Sequence, residues 1–159
     1  MKAVIQRVKK ASVEIDGKIA GSIGLGFLVL LGVAGTDTEA ECDALAGKVA
    51  RLRIFEDDGG KMNLALADVG GSVLVISNFT LCADCSRGNR PDFFGAMRPE
   101  GAKKLYKRFM EQLEKYELRV ERGEFGADMK VSLINDGPVT IIIDSDNLKI
   151  KSKGAESSR

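Results

Sequence analysis

Two short polar motifs carry the residues of this sequence whose types and spacing could do chemistry. The first is Ser-Asn-Phe-Thr-Leu at residues 77–81, and the second is Asn-Asp-Gly-Pro-Val-Thr at residues 135–140. Each motif adjoins an apolar, β-branched run of the kind that forms strands. Hydroxyl groups and main-chain N–H groups can orient and polarise an acyl carbonyl. The two motifs therefore indicate a hydrolytic site built from hydroxyls and main chain.

The sequence contains no histidine, and this absence excludes several classes of site. A Ser-His-Asp triad, a cysteine nucleophile paired with histidine and every histidine-ligated metal site require that residue. The catalytic groups that remain are hydroxyls, thiols, carboxylates, Lys, Arg, main-chain N–H groups and any reactive group that the substrate itself carries. A catalyst built from this chain must work without an imidazole base.

Three cysteines, Cys42, Cys82 and Cys85, allow two further chemistries. The Cys-x-x-Cys spacing of the last two suits half of a zinc site or a redox pair. A zinc site needs more soft ligands than Cys42 can supply, and a redox pair normally stands where a strand leads into a helix. We interpret Cys82 and Cys85 as incidental thiols in a turn, with a redox role as the alternative, and expect neither a metal nor a cofactor.

Composition bounds the size and the location of the protein. The 159 residues are 44% hydrophobic, which is enough for the core of one domain but hardly two. Lys plus Arg number 24 and Asp plus Glu number 23, so no global charge drives binding to nucleic acid or membranes. Charges interrupt the N-terminal apolar residues too soon for a signal peptide, and no run reaches transmembrane length. Together with the odd cysteine count, these features predict a cytoplasmic protein that does not associate with a membrane.

Apolar alternation and β-branched residues predict the strands. The predicted strands are residues 3–8, 12–15, 18–23, 26–34, 73–76, 129–134 and 139–143. The fourth of these runs is apolar nearly throughout and bounded by glycines, which is typical of a central strand buried on both faces. The 73–76 run leads into the first motif. The second motif lies between the last two runs, and its Asp-Gly-Pro sequence predicts a turn between two strands.

Two helices are indicated by their capping residues and apolar faces. Thr38 followed by Glu41 forms a capping-box pattern, and the helix that it opens should end near Arg51. Pro99 fits the first turn of a second helix. The apolar face of that helix comprises Ala102, Leu105, Tyr106, Phe109, Leu113 and Tyr116. The sequence thus predicts one α+β domain over residues 1–145 and a flexible C-terminal tail over residues 146–159.

Seven short segments, spaced along residues 1–145, share their order and spacing with one family. The segments are AVIQRV at 3–8, LRIF at 52–55, KMN at 61–63, SNFTL at 77–81, RGNRPDF at 87–93, GADM at 126–129 and NDGPVT at 135–140. Together they resemble the D-aminoacyl-tRNA deacylases. The resemblance implies a compact β-barrel-like domain with two main helices packed outside, a homodimer, and an active site at the dimer interface.

The resemblance also implies the substrate and the residues that select it. The substrate would be a D-amino acid esterified to the 3′-terminal adenosine of tRNA, or glycyl-tRNA, including tRNA-Ala mischarged with glycine. Gly137 and Pro138, joined by a cis peptide in the family, would enter the partner subunit's site as a chirality filter. A backbone wall excludes one enantiomer whatever the side chain. Arg7 matches the arginine that braces this element across the dimer, with a surface or strand-edge ion pair as its alternative role.

The implied chemistry centres on the first motif. Thr80 matches the family threonine, and the N–H groups of Phe79 and Thr80 would stabilise an oxyanion. No base for Thr80 is visible, so we expect the ribose 2′-OH of the substrate to help activate water. Phe79 and Met129 would line the adenine pocket, and Asn78 stands where the family has glutamine. The predicted catalytic residues are Ser77, Asn78, Phe79 and Thr80, and the predicted substrate-binding residues are Arg7, Met129, Gly137, Pro138, Val139 and Thr140.

Alternatives to this function and to its tRNA contacts remain open at the level of sequence. A basic strip of Arg87, Arg90, Lys103, Lys104, Lys107 and Arg108 could contact tRNA phosphates. The helical members of that strip could equally form a solvated face. Two other functions are a tRNA-binding module that lost catalysis through the change at Asn78, and an esterase acting on small-molecule acyl esters.

Overall fold

The computed structural model describes residues 1–150 of the chain. The strands are β1 (Lys2–Ile15), β2 (Lys18–Ile23), β3 (Gly26–Gly32), β4 (Phe55–Glu56), β5 (Met62–Leu64), β6 (Ser72–Ser77), β7 (Arg119–Arg122) and β8 (Lys130–Asp144). The helices are α1 (Glu39–Arg51), α2 (Leu66–Val69) and α3 (Pro99–Glu114), with 3₁₀ turns at Phe79–Cys82 and Ser145–Asn147.

Strand β1 organises the main sheet because it pairs with three other strands. Its first half pairs with β3, its second half pairs with β2, and β8 runs antiparallel along its other edge. Strands β6 and β7 continue the sheet in parallel beyond β3. At Gly21 of β2, an added Cβ would lie 2.6 Å from the carbonyl oxygen of Arg122 in β7. The two ends of the sheet therefore meet closely, which confirms the predicted α+β, barrel-like fold.

The central strand β3 is covered on both faces, as its apolar run predicts. Phe27, Val29 and Leu31 belong to the core cluster that contains α1 and α3. Leu28 points the other way, into a second cluster inside the curled sheet. Alternate side chains of a strand face opposite sides of its sheet, so an uninterrupted apolar sequence is the expected composition for a strand between two cores.

The two main helices begin where their capping signals predict. At the start of α1, the Thr38 hydroxyl accepts a hydrogen bond from the Ala40 N–H at 3.3 Å, and the Glu41 carboxylate accepts one from the Thr38 N–H at 2.6 Å. Hydrogen bonds from Thr38 lower the pKa of Glu41. Helix α3 begins at Pro99 and buries its apolar face against α1 and the sheet. Only Tyr116 of the predicted face lies outside the helix, beyond its end.

The prediction of a turn between the last two strands is wrong. Residues 130–144 form one strand, β8, and the second motif is a bulge inside it. Strand β1 pairs with both halves: Val8 lies opposite Asn135, and Gln6 lies opposite Thr140. Between these two pairs β1 advances by two residues and β8 by five, so the extra residues of β8 form the bulge. Since β1 continues straight past the bulge, β8 resumes its pairing in the same direction rather than turning back.

The segment after β8 continues to contact the core. Ser145 is buried, its N–H donates to the Met1 carbonyl at 2.8 Å, and Leu148 packs against the core beside α1. The boundary expected at residue 145 thus falls beside packed residues, and the flexibility of the tail stays a prediction because residues 151–159 lie outside the described residues. Among the helices of residues 1–150, none is both long and apolar enough to cross a membrane.

Candidate active site

The first motif lies at the end of β6, beside the end of β3. Ser77 is the last residue of β6 and pairs with Leu31, and the Asn78 N–H donates to the Leu31 carbonyl at 2.8 Å. The chain then tightens into the 3₁₀ turn Phe79–Cys82, which packs on Gly32. A Cβ at Gly32 would lie 2.9 Å from the Cβ of Leu81. Gly32, to which the sequence analysis gave no role, therefore allows the turn to pack against the sheet.

The hydroxyl of Thr80 donates a hydrogen bond to the side-chain oxygen of Asn78 at 2.5 Å. Within residues 1–150, no other side chain hydrogen-bonds to this hydroxyl. An amide oxygen is an acceptor but too weak a base to remove a hydroxyl proton. The geometry thus gives Thr80 a fixed orientation without activating it as a nucleophile, and the shorter Asn78 side chain is folded back onto its own turn.

The main-chain N–H groups of Phe79 and Thr80 are the first two of the 3₁₀ turn. The first N–H groups of a helical turn have no acceptor within it, and neither group has an acceptor among the described residues. The Phe79 ring is 59% exposed and meets Phe93 edge-on, with ring centroids 5.1 Å apart. Phe93 was part of a motif but had no predicted role. The turn therefore has two N–H donors free to bind a ligand, next to an exposed aromatic ring that packs on Phe93 on one side.

Met129 lies near the same end of β6, on the inner face of the curled sheet. It is half-buried against the inner core cluster. A Cβ added at Gly123 would clash with the Met129 sulfur and would lie 3.5 Å from the Ile76 Cδ1. Met129 and Ile76 therefore both lie beside Gly123. Because Ile76 directly precedes Ser77, Met129 is close to the start of the first motif.

The second motif is held in shape by Asn135. The Asn135 side-chain oxygen accepts a hydrogen bond from the Val139 N–H at 2.7 Å. Its amide group donates to the Val139 carbonyl at 3.2 Å and to the Thr140 hydroxyl at 3.1 Å. Val139 is buried in the core, whereas Thr140 is exposed. Asn135 thus closes the base of the bulge, a role that sequence analysis did not assign.

Gly137 and Pro138 form the exposed tip of the bulge and are joined by a cis peptide bond. Gly137 has a φ of 147°, and an added Cβ would lie 2.6 Å from the Cγ2 and 2.8 Å from the nitrogen of Val139. A side chain at this position would clash with the backbone that follows. The tip therefore presents main-chain surface, with no side chain at Gly137 that could cover it.

Arg7 is buried beneath the bulge, with 6% of its surface exposed. Its Nε donates to the Asp136 carbonyl at 2.9 Å, and its Nη1 donates to the Ile54 carbonyl at 2.7 Å. The expected alternative, a strand-edge or surface ion pair, is wrong because both partners are main-chain carbonyls. Within one chain, Arg7 joins the bulge to the segment that precedes β4.

The two motifs lie far apart on a single chain. Strands β6, β3, β1 and β8 are successive neighbours in the sheet, so three strand spacings, roughly 14 Å, separate the motifs laterally. Along β1, the row of Ser77 reaches Ala3, while the tip at Pro138 lies between the rows of Gln6 and Val8. That offset adds roughly 13 Å along the strands. One chain therefore does not bring its own bulge to its own Thr80.

The three cysteines are free thiols in three different environments. Cys42 is buried, and burial raises its pKa to about 12. Cys82 is half-buried with a pKa also raised by burial, and Cys85 is exposed. Reactive cysteines usually have a lowered pKa, and burial shifts the pKa values of Cys42 and Cys82 in the opposite direction.

Comparison with known proteins decides the family. The family model for D-Tyr-tRNA(Tyr) deacylase matches residues 4–144. The chain belongs to the D-aminoacyl-tRNA deacylase family. A curated D-aminoacyl-tRNA deacylase of Lacticaseibacillus casei is 58% identical, covering 92% of this chain and 99% of that protein. One from Thermosipho melanesiensis is 54% identical, covering 91% and 97%. The predicted family, and with it the prediction of a deacylase enzyme, is confirmed.

Solved structures agree on the deacylase fold. A structure described as a c-Myc DNA unwinding element binding protein has a TM-score of 0.85 and 44% identity, covering 91% of this chain and 98% of the other. A probable eukaryotic D-amino acid tRNA deacylase has a TM-score of 0.77 at 15% identity, covering 89% and 97%. The second likeness concerns the fold alone.

Proposed function

We propose that this chain hydrolyses the ester bond of D-aminoacyl-tRNA and of glycyl-tRNA, releasing the amino acid and tRNA. Family membership supports the reaction class, and the exposed main-chain tip at Gly137 and Pro138 supports the selectivity. A wall made of backbone excludes an L side chain by its shape and is indifferent to the identity of a D side chain. Glycine has no side chain to exclude, so tRNA-Ala mischarged with glycine is also a substrate. Such a substrate places the enzyme in the cytoplasm.

The separation of the two motifs is the observation that carries this proposal furthest. Each motif is well formed, yet the bulge and Thr80 are roughly 20 Å apart along the sheet of one chain. A second copy can supply the bulge that the first copy cannot reach, because Gly137 and Pro138 are exposed. The active form is then a homodimer with two sites, each pairing the first motif of one subunit with the second motif of its partner.

An exposed apolar face supports the homodimer. Ile142 of β8 is 71% exposed, whereas its neighbours Ile141 and Ile143 pack against the core on the other face. Val4 lies directly opposite Ile142 and is only half-buried, whereas Leu30, the next residue in the row, packs partly against the inner cluster. The apolar surface of Ile142, extended by Val4, is therefore where we place the subunit contact. The face adjoins the bulge, so a partner seated there lies next to Gly137 and Pro138.

Within that site, the protein's contribution is positioning and hydrogen-bond donation. The open N–H groups of Phe79 and Thr80 stabilise the oxyanion of the tetrahedral intermediate. Thr80 is not the nucleophile, because its hydroxyl donates to Asn78 and no base among residues 1–150 contacts it. The ribose 2′-OH next to the ester assists the attacking water, and Phe79 and Met129 hold the adenine so that this hydroxyl is correctly placed.

The reaction is tested by release of amino acid from three substrates: D-tyrosyl-tRNA, L-tyrosyl-tRNA and glycyl-tRNA. We expect hydrolysis of the D and glycyl esters and sparing of the L ester. Thr80→Val should retain most of the activity, whereas a D-aminoacyl-tRNA ending in 2′-deoxyadenosine should be hydrolysed at least 100-fold more slowly, in line with the loss of acid–base assistance. Loss of activity in Thr80→Val with normal turnover of the deoxy substrate would reverse the assignment of roles.

The shared site is tested by mixing two inactive variants. Phe79→Asp damages the first motif, and Gly137→Val distorts the bulge that serves the partner. After unfolding and refolding an equal mixture, half of the dimers are hybrids, and each hybrid contains one site free of both changes. Activity should return to about a quarter of the wild-type value if sites are shared between subunits. An activity that stays near zero would place each complete site within one chain.

A second candidate, a non-catalytic nucleic-acid-binding module, is favoured by one observation: a relative at 44% identity is named for DNA binding. Tight tRNA binding without turnover of any of the three esters would support it. Turnover of free small-molecule esters that does not respond to tRNA would instead support an esterase.

A further inference from the structure

The most exposed large apolar side chain among the described residues belongs to Phe94, at 95% exposure. It directly follows Phe93, whose ring contacts Phe79 of the first motif. Burying a phenylalanine side chain is favourable in free energy compared with leaving it in water. A ring left in water beside the proposed binding site therefore indicates a surface that a ligand covers. The fold itself makes no use of this ring.

The backbone that carries Phe94 is fixed on both sides. Before it, Asp84 and Asp92 exchange two main-chain hydrogen bonds, of 2.9 and 3.0 Å, which close residues 85–91 into a loop. The Asp92 carboxylate also accepts from the Phe94 N–H at 3.2 Å. After it, the Gly95 carbonyl and the Met97 N–H are hydrogen-bonded to the segment that follows β3. Phe94 is thus an exposed ring on a held backbone rather than a side chain on a loose loop.

The closed loop beside this ring carries Arg87 and Arg90, both exposed and, within residues 1–150, not in an ion pair. The carboxylate of Asp84 is turned back to the Ser86 N–H at 2.9 Å, as that of Asp92 is turned to Phe94. The two guanidinium groups are therefore the charges that the loop presents to a ligand.

Two helical members of the predicted basic strip, Arg108 and Lys107, lie close to carboxylates. Arg108 of α3 is bound by the carboxylate of Asp43 at 2.7 and 2.8 Å and lies 3.3 Å from Glu39. Lys107 is 4.0 Å from Glu111. Charges already paired with carboxylates add little to phosphate binding. Lys103 and Lys104 of the same helix are exposed and, within residues 1–150, in no ion pair, but Arg87 and Arg90 are the unpaired basic residues of the strip that lie in the loop next to Phe94.

We propose that Phe94, Arg87 and Arg90 bind the single-stranded 3′ end of tRNA upstream of its terminal adenosine. An exposed aromatic ring next to arginines matches the way that proteins hold single strands, with bases stacked on rings and phosphates on guanidinium groups. Phe93 links the two sites: its ring centroid is 5.1 Å from that of Phe79, and consecutive Cα atoms are about 3.8 Å apart. Phe94 therefore follows directly on the residue that contacts Phe79, within reach of the nucleotides before an adenosine held there. This inference rests on the proposed function.

The experiment compares two substrates that differ only in the upstream nucleotides: D-tyrosyl-tRNA and the D-tyrosyl ester of adenosine. Phe94→Ala should lower the ratio of kcat/KM for the tRNA ester to that for the adenosine ester about tenfold, as stacking on one ring predicts. Phe94→Trp should preserve the ratio. Lys18→Ala, which removes an exposed charge at the β1–β2 turn, is the control and should not alter it.

Salt dependence tests the arginines separately. Replacing Arg87 and Arg90 by alanine removes two phosphate contacts, so the slope of log affinity for deacylated tRNA against log salt should fall by about 1.4. Phe94→Ala should weaken the same binding about tenfold with no change of slope. An unchanged kcat/KM ratio and unchanged affinity in Phe94→Ala would overturn the proposal. So would a concentration-dependent loss of dimer in that variant, because it would assign the ring to a subunit interface.

These experiments distinguish a failure of the proposed reaction from a failure of the proposed upstream nucleotide site. If wild-type protein hydrolyses neither ester, the proposed function is wrong, and the binding of deacylated tRNA still decides the role of Phe94. If wild type hydrolyses both esters and Phe94→Ala slows both equally, the reaction stands and the upstream site does not.

Discussion

Replacing Arg7 by methionine should destabilise the fold and loosen the second motif. Arg7 is 6% exposed and donates two hydrogen bonds, of 2.9 and 2.7 Å, to the carbonyls of Asp136 and Ile54. Methionine fills a similar volume but leaves both carbonyls without their donors. An unsatisfied buried group costs about 1–3 kcal/mol. Relief from burying the guanidinium offsets part of this cost, so the free energy of unfolding should fall by about 2–4 kcal/mol.

Urea unfolding measures this loss, and all variants are compared at one protein concentration because the stability of the proposed dimer depends on it. Arg7→Lys should lose about half as much, since an ammonium group lacks the fork that reaches two carbonyls. Arg119→Met is the matched control: it removes an arginine that is 64% exposed and paired with Glu121 on β7, and such pairs contribute about 0–1 kcal/mol. If Arg7→Met were no more destabilising than this control, the two buried hydrogen bonds would not hold the bulge.

Three further substitutions and one labelling experiment test other parts of the structure. Ile142→Asp should give a monomer in sedimentation and abolish deacylation, because it places a charge in the proposed subunit interface. Tyr106→Phe removes a buried hydroxyl that donates to a main-chain carbonyl at 3.0 Å and should lower the unfolding free energy in urea by about 1–2 kcal/mol. Iodoacetamide at pH 8 should modify Cys85 rapidly and Cys42 only after unfolding, by mass spectrometry, because burial raises the pKa of Cys42 to about 12. The hydrogen bond from Arg108 lowers the pKa of Asp43, so the stabilisation by this pair is present above the ordinary aspartate pKa and is lost as the pH falls through the lowered one. Asp43→Asn should therefore reduce the urea midpoint at pH 7 but not at a pH below the lowered pKa of Asp43.

Local signals in the sequence correctly predicted the elements whose structure depends on residues close together in the chain. The capping box of Thr38 and Glu41 located the start of α1, and the unbroken apolar run of β3 identified a strand between two cores. In both cases the residues that decide the structure are close together in sequence. The β-branched run at residues 73–76 likewise located the first motif at the end of a strand.

The failures concern contacts between residues far apart in sequence. Asp-Gly-Pro is typical of a turn, and nothing nearby shows that β1 pairs across it on both sides. Arg7 bonds to carbonyls, which any residue can offer, so its partners at Asp136 and Ile54 have no sequence signal. The exposure of Phe94 likewise depends on where the neighbouring segments leave space. Secondary-structure propensity is a property of single residues, whereas these features depend on pairs of residues that are distant in sequence.

The pairing of β1 with β8 joins nearly opposite ends of the described chain, residues 2–14 with residues 130–144. Contacts of such wide sequence separation slow folding, because the entropy of closing a long loop must be lost before the contact forms. During synthesis, one edge of the fourteen-residue strand β1 stays unpaired until the last strand emerges. An open edge of that length is a template for pairing with other chains. We therefore expect slow refolding, and aggregation at high protein concentration when residues 130–144 are deleted.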